Sequence, residues 1–287
     1  MPNLSLDEYL DWHKTKLSED LSDTSLEKSF AINSGNLLSS VGLHAFFKDL
    51  QRKLTELESD GILAANEASS FGLVKKGYAS VVNKIYRRNC HWNRNWPNKP
   101  KGGWIKFSDV YSIFDDIIRG TIVTRYLDGG ELIGQQLSEI GDKHSIAVEV
   151  SPRATDQGHY AWHVYITTPH DVIVDGTVQT VELKCEIQII TLLQSVLKGL
   201  THQFYEKSRI ADAGRPVERR WQFHSPEFKG EYLGHTLHLV DSMLVELREG
   251  SIEGDCSDSS VDAVQSDATN VEPDPNLAES DENGEQK

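Results

Sequence analysis

Two carboxylates and a block of cations carry the clearest chemistry in this sequence. Glu186 lies in VELKCEIQIIT (181–191), where Val181, Leu183, Cys185, Ile187 and Ile189 alternate with Glu182, Lys184, Glu186 and Gln188. That is the period of a strand with one face in a core, and its other face turns Glu186 toward either open water or a site. Asp116, preceded by Asp115, stands at the start of a second β-branched run. Two strands can therefore aim carboxylates at one point. Between Glu67 and Asp109 there is no acid, whereas Lys75, Lys76, Lys84, Arg87, Arg88, Arg94, Lys99, Lys101 and Lys106 supply nine positive charges. Within a chain of net charge −15 such segregation points to a polyanion site. Carboxylates facing a basic patch suit phosphate chemistry. Mg²⁺ takes one or two carboxylates plus substrate phosphates, lysines and arginines neutralise phosphate charge, and a spare carboxylate can take a proton from a hydroxyl nucleophile.

The elements that position these residues follow from hydrophobic spacing. Helical periods run over 6–21 and 37–57, and in the second Leu38, Val41, Leu43, Phe46, Phe47, Leu50, Leu54 and Leu57 recur at threes and fours. GYASVVNKIYRRN (77–89) continues the pattern with Val81, Val82, Ile85 and Tyr86, which sets part of the basic block on a helix. After a loop rich in Trp, Asn, Pro, Lys and Gly (89–103), β-branched runs predict strands at 117–126, 144–150, 160–167 and 181–190, with a helix at 129–141. A helix over 191–209 turns Leu193, Val196, Leu197, Leu200 and Phe204 inward, and a further amphipathic segment covers 227–248. The expected fold class is α/β (α+β), a mixed β-sheet of four to five strands with flanking helices. The expected organisation is a helical segment at 1–66, a core at 67–210, a C-terminal helical segment at 211–249 and an acidic tail at 250–287.

A chain of 287 residues with 38% hydrophobic content holds enough apolar area for one folded domain with appendages. No apolar run approaches the ~18 residues of a bilayer span, and MPNLSLDEYLDWHKTK lacks the apolar centre of a secretory signal. Cys90, Cys185 and Cys256 are widely spaced, which predicts a reduced, cytoplasmic protein with neither a disulfide framework nor a zinc cage. Over 251–287 eleven acids face one lysine and aromatic residues are absent, so this tail is expected to be disordered. It either solubilises the chain or folds back over the basic block. A Walker-type loop is absent, since the Gly-Gly pairs at 102–103 and 129–130 lack the Lys-Ser/Thr sequel. Taken singly, His163 and His202 fit structural roles, and the histidines are not read as a metal hydrolase centre.

Several separated segments together resemble the synthetase domain of the RelA/SpoT family, the enzymes that make the alarmones ppGpp and pppGpp. CEIQIIT looks like the family's E-I-Q-I-R-T strand end, with Glu186, Gln188 and Thr191 on matching positions, and His202 follows at the spacing of the family's E-H helix. DIIRGTI resembles D-I-x-G-x-R and puts Asp116 on the metal-binding aspartate. GHYAWH is similar to G-Y-x-S-x-H at Gly158 and His163, and KKGYASVVNKIYRR to R-x-K-x-x-x-S-I-x-x-K at Lys76, Ser80 and Lys84. The matched segments span 75–207 in the family's order.

The resemblance implies a nucleotidyltransferase-like sheet in a small stand-alone synthetase, a GTP diphosphokinase-like enzyme. The β,γ-pyrophosphate of ATP would pass to the ribose 3′-hydroxyl of GDP or GTP, giving (p)ppGpp and AMP. Mg²⁺ is the implied cofactor, held by Asp116 and Glu186, with Glu186 also activating the hydroxyl. Lys76, Ser80, Lys84, Arg87, Arg88 and Arg119 would bind ATP, through its phosphates or by stacking a guanidinium on adenine. Arg153, His159, Tyr160, His163, Gln188 and His202 would bind the acceptor.

The sequence departs from the family at three points that bear on the acceptor. The guanine-stacking tyrosine is His159, with Tyr160 next door on the opposite strand face. The arginine of E-I-Q-I-R-T is Ile190, and the arginine ending the aspartate motif is Thr121, with Arg119 two residues earlier. One alternative keeps the transfer but moves it to an adenine nucleotide or the tRNA 3′ end, as in toxin-like relatives, which would add tRNA and an antitoxin protein to the partners. Tyr78, Tyr86, Trp92, Trp96 and Trp104, interleaved with the basic block, favour it. Another is a catalytically inactive nucleotide- or RNA-binding module, against which the presence of both Asp116 and Glu186 stands. No membrane partner is expected.

Overall fold

The computed structural model describes residues 4–39, 41–211 and 222–258. Helices α1 (Leu6–Leu17), α2 (Thr24–Leu38) and α3 (Val41–Ser59) open the chain. They are followed by the short α4 (Glu67–Ser70), a two-residue strand β1 (Val74–Lys75) and α5 (Tyr78–Tyr86), which runs on as a π-helical turn over Arg87–His91. After α6 (Val110–Ile113) come β2 (Ile118–Thr124), α7 (Gly129–His144), β3 (Ala147–Ala154), β4 (Tyr160–Val174), β5 (Thr177–Thr191), α8 (Leu192–Ala211) and α9 (Pro226–Asp258). The strands form one mixed sheet in the order β1-β2-β5-β4-β3, with β2 parallel to β5 and the other neighbours antiparallel.

The sheet is longer than the apolar runs alone predict. Asp175 and Gly176, at φ 50° and 72°, form the two-residue turn between β4 and β5, and positive φ at both central positions is what a tight hairpin with the natural strand twist requires. Pairing therefore runs unbroken from Val174↔Thr177 to Trp162↔Ile189. The Asp-Gly signal was in the sequence; the polar stretch after it concealed the strand. β1 is too short to have any period. α2 is also absent from the hydrophobic pattern, because its inward face is partly polar: buried Asn33 donates to the Ile173 carbonyl at 2.8 Å and to Tyr111 Oη at 3.1 Å.

Alternation sorts the sheet into two faces. Ile118, Ile122, Val164, Ile166, Cys185, Ile187 and Ile189 are buried on one, beneath α7, which packs on β3, β4 and β5 with α3 alongside it. The register sets the other face. Arg119 lies opposite Glu186 and Thr121 opposite Gln188 on the β2 side, while Tyr165 lies opposite Glu186 and His163 opposite Gln188 on the β4 side. A polar platform is thus built into the pairing.

The chain divides into a compact unit, Met1–Leu247, and a second unit, Arg248–Lys287. In the second, the described residues 248–258 are helical, past the point where the acidic tail was expected to begin, and Arg248 lies 3.8 Å from Glu249. The rest of the tail, 259–287, falls outside the described residues. Among the described residues no helix is long and apolar enough to cross a membrane.

Within the first unit α9 meets the turn before β4 backbone to backbone. Gly158 has φ +74°, and a Cβ on Gly234 would collide with the Gly158 carbonyl. We expect Gly234→Ala to lower unfolding stability by about 1–3 kcal/mol, the usual cost of overpacking a close contact, in spite of alanine's better helix propensity. Urea titration of the two proteins checks this; equal midpoints would show that the contact yields.

Candidate active site

The loop before β2, the residues just ahead of α5 and the last turn of α5 meet at one carboxylate. Asp116 accepts from Lys76 Nζ at 2.5 Å on Oδ2 and from Lys84 Nζ at 2.6 Å on Oδ1, so both its oxygens are taken. Lys76 is held by its backbone N–H, which donates to the Ile117 carbonyl at 2.8 Å. Lys84 comes from the polar side of α5, whose stripe of Val81, Val82, Ile85 and Tyr86 is buried as its spacing predicts. Burial alone would raise the Asp116 carboxyl, but the charges and hydrogen bonds of Lys76 and Lys84 outweigh it and hold it at about 2. Two ammonium groups on one carboxylate leave an excess of positive charge at the sheet edge. Lys84 and Arg88 lie 4.7 and 5.7 Å from the Phe114 ring centroid, and Arg87 lies 5.2 Å from that of Trp92.

The second carboxylate, Glu186, is only 8% exposed at the centre of the polar face. His163 Nδ1 lies 2.8 Å from its Oε1, the Tyr165 hydroxyl donates to the same oxygen at 3.3 Å, and Gln188 Nε2 donates to Oε2 at 3.3 Å. Burial pushes Glu186 up, yet the hydrogen bond and charge of His163 prevail, with Lys84 helping and Asp116 opposing; the net direction is down, toward the ionised form. Asp116 is near enough to Glu186 for its charge to oppose the ionisation of the second carboxylate. Arg153 lies 5.5 Å from the centre of the Tyr165 ring. Together these groups give a cationic edge, a carboxylate at that edge and an ionised carboxylate at the centre. Such a set can hold polyphosphate and orient a hydroxyl.

Most of the expected site residues converge here: Lys76, Lys84, Asp116, Arg119, Arg153, His163, Glu186 and Gln188 all belong to or adjoin the polar face. Ser80 is exposed in the first turn of α5, where its backbone N–H donates to the Gly77 carbonyl at 3.0 Å. His159 lies in the turn before β4, its N–H donating to Thr155 Oγ1 at 3.2 Å. The backbone of His202 is part of α8, and its side chain lies outside the described residues. Tyr160 lies apart from these residues, on the strand face where the sequence puts it. Its position on β4 places it on the face opposite Glu186, where it stacks on His238 with centroids 3.7 Å apart and its hydroxyl lies 2.8 Å from His235 Nδ1. A helix distant in sequence occupies the ring expected to meet the acceptor.

The inward face of α8 also departs from its apolar spacing. Val196 and Leu200 are 57% and 63% exposed, whereas Gln194, Leu197 and Thr201 are buried and Lys198 is half-buried beside them. The reason is the short handover from β5: the Thr191 hydroxyl accepts the Gln194 N–H at 3.2 Å and donates to buried Asp241 at 2.6 Å, and Gln194 Nε2 donates to the Gly234 carbonyl at 3.1 Å. These polar contacts set the rotation of the helix. Lys198, which the sequence reading passed over, is thereby turned toward the platform. Tyr165 was passed over too, although its alternation with His163 places it beside Glu186.

The basic block's aromatic residues are mostly structural. Trp96 and Trp104 pack around Trp12, the Tyr78 hydroxyl donates to the Leu21 carbonyl, and Tyr86 is buried, while Trp92 is 55% exposed. His159 and His163 stand at a four-residue spacing and His170 adjoins Asp171, but His170 Nε2 lies 2.8 Å from Thr168 Oγ1, and no group of three or more His, Cys, Asp or Glu among the described residues could hold a metal.

The fold and platform define a class: a five-stranded mixed sheet whose polar face carries a buried carboxylate beside a cluster of lysines. Among solved structures, the chain is similar to small alarmone synthetase 1 from Bacillus subtilis bound to its product pppGpp, with a TM-score of 0.52 and 16% identity over 80% of this chain and 100% of that one. A second structure of small alarmone synthetase 1 from Bacillus subtilis gives a TM-score of 0.51 at 16% identity with the same coverage. The chain has the small alarmone synthetase fold. No family model and no curated protein matches the sequence.

Because Asp116 keeps two part-buried lysines compatible, Asp116→Asn leaves them facing each other. We expect a loss of about 1–3 kcal/mol, below the range for a fully buried pair because all three side chains retain some exposure. The depressed Asp116 carboxyl contributes stability that is complete above its unfolded pKa near ~4 and is lost as pH falls toward about 2. Urea midpoints measured from pH 5 to pH 2 would fall more steeply for the wild type than for Asp116→Asn; parallel profiles would contradict the clamp.

Proposed function

We propose that this chain is a pyrophosphokinase that transfers the β,γ-pyrophosphate of ATP to the ribose 3′-hydroxyl of GDP or GTP. The observation that carries the reading is the Lys76–Asp116–Lys84 cluster beside β2 together with the Glu186–His163–Gln188 cluster on the polar sheet face, near enough that Lys84 and Asp116 both act on the ionisation of Glu186. The bound product named for the Bacillus subtilis structure, pppGpp, supports a guanine nucleotide as acceptor.

Lys76, Lys84, Arg87 and Arg88 bind the donor, the lysines by pairing with phosphate oxygens and the arginines by charge or by stacking. Glu186, ionised and oriented by His163, Tyr165 and Gln188, accepts the hydrogen bond of the 3′-hydroxyl and takes its proton as the bond from O3′ to the β-phosphorus forms. The bond between the β-phosphorus and the oxygen bridging to the α-phosphate breaks, and AMP leaves. In a loose transition state of this kind positioning and charge stabilisation do most of the work. Arg153, His163 and Gln188 line the acceptor side.

Mg²⁺ fits the donor set. Asp116 and Glu186 would supply hard carboxylate oxygens, and such an ion completes its shell with phosphates and water. Each Asp116 oxygen accepts one lysine hydrogen bond and keeps a second lone pair that could face the ion. When bound, the ion would neutralise charge on the transferring group.

Incubation with Mg²⁺, labelled ATP and, in separate reactions, GDP, GTP, ADP and bulk tRNA tests the reading. AMP should appear with GDP or GTP, with label on the guanosine 3′-position, and Glu186→Gln should slow its release by about 10²–10⁴-fold. Label on tRNA or adenine nucleotides in place of guanosine would keep the transfer and move the acceptor. AMP release untouched by Glu186→Gln would sink the assignment.

A further inference from the structure

Lys198, on the polar platform, has no carboxylate partner among the described residues. Lys198 lies on the inward stripe of α8 with Gln194, Leu197 and Thr201, and its Nζ donates to Gln188 Oε1 at 3.1 Å. Gln188 in turn donates to Glu186. Among the described residues no Asp or Glu forms an ion pair with Lys198, and burial together with the nearby charge of Arg119 disfavours its ammonium form, with Glu186 offering partial compensation. Arg119 acts on Lys76 as well. Arg119 is thus near enough to disfavour the ammonium forms of both Lys76 and Lys198, and the side-chain acceptor in hand for Lys198 is a neutral amide oxygen.

A part-buried ammonium hydrogen-bonded to an amide beside a guanidinium is poorly compensated and gains most from an anion. The donor's phosphates already have the Asp116 lysines and the arginines of the α5 end. The acceptor brings a phosphate chain of its own, and Gln188 and His163 face its side. We propose that Lys198 binds a 5′-phosphate of the acceptor nucleotide, with Arg119 adding to the field. This rests on the pyrophosphokinase reading above. It also gives Gln188 a bridging role, tying the phosphate-binding ammonium to the carboxylate that orients the 3′-hydroxyl.

The test separates substrates. In steady-state assays Lys198→Gln should raise the KM for GDP about tenfold, as expected for one charge-assisted hydrogen bond, and leave the KM for ATP nearly unchanged, while Lys198→Arg recovers most of the loss. Equilibrium binding supplies a readout without turnover: the wild type should prefer GDP to guanosine, and Lys198→Gln should narrow that preference. A lysine that merely braced α8 would alter both KM values or neither and would leave the GDP-to-guanosine preference intact, and either pattern would overturn the proposal. Wild-type transfer to GDP with an unaffected Lys198→Gln would remove this role alone, whereas a wild-type chain that neither binds GDP nor releases AMP would remove the function along with it.

Discussion

The sharing of Asp116 between Lys76 and Lys84 is the constraint on which the candidate site depends. It ties the entry to α5, the loop before β2 and the polar face into one electrostatic unit. Without the carboxylate, two ammonium groups would be forced together with little water. Without the lysines, a part-buried carboxyl would lose the partners that keep it charged, because burial opposes ionisation in either case. The cluster therefore holds two cations on one carboxylate in a fixed place.

Glu186 shows the complementary solution. It sits deeper and has three hydrogen-bond partners, and none of them is a lysine. A carboxylate held by an imidazole, a phenol and an amide is oriented by three partners, and the imidazole supplies most of what offsets its burial. The two carboxylates thus differ in role because their surroundings differ. Glu186 owes its place to the alternation of β5, whereas Asp116 stands in the turn just before β2, the strand that pairs in parallel with β5.

Much of this was legible in the sequence, and the exceptions have physical causes. The alternation in 181–191 fixed which side chains share a face with Glu186, and the spacing of Val81, Val82, Ile85 and Tyr86 turned Lys84 away from the core. α2 was hidden because Asn33 buries its amide on β4, so hydrophobicity fails where a hydrogen bond substitutes for an apolar contact. The long β4–β5 hairpin was hidden because its distal half is polar, although Asp175–Gly176 marked its turn.

The sequence by itself determined the local periods, the turn chemistry and the charge segregation, because these depend on neighbours within a few residues along the chain. Only the tertiary structure decided which of those residues meet. Tyr160 is claimed by His238 of α9, α8 is rotated by the Thr191–Asp241 and Gln194–Gly234 contacts, and Lys198 is turned inward while Val196 and Leu200 face out. Each outcome hangs on a partner some forty or more residues away. A helix with both an apolar and a polar stripe can bury either one, and the hydrogen bonds offered by α9 made the choice.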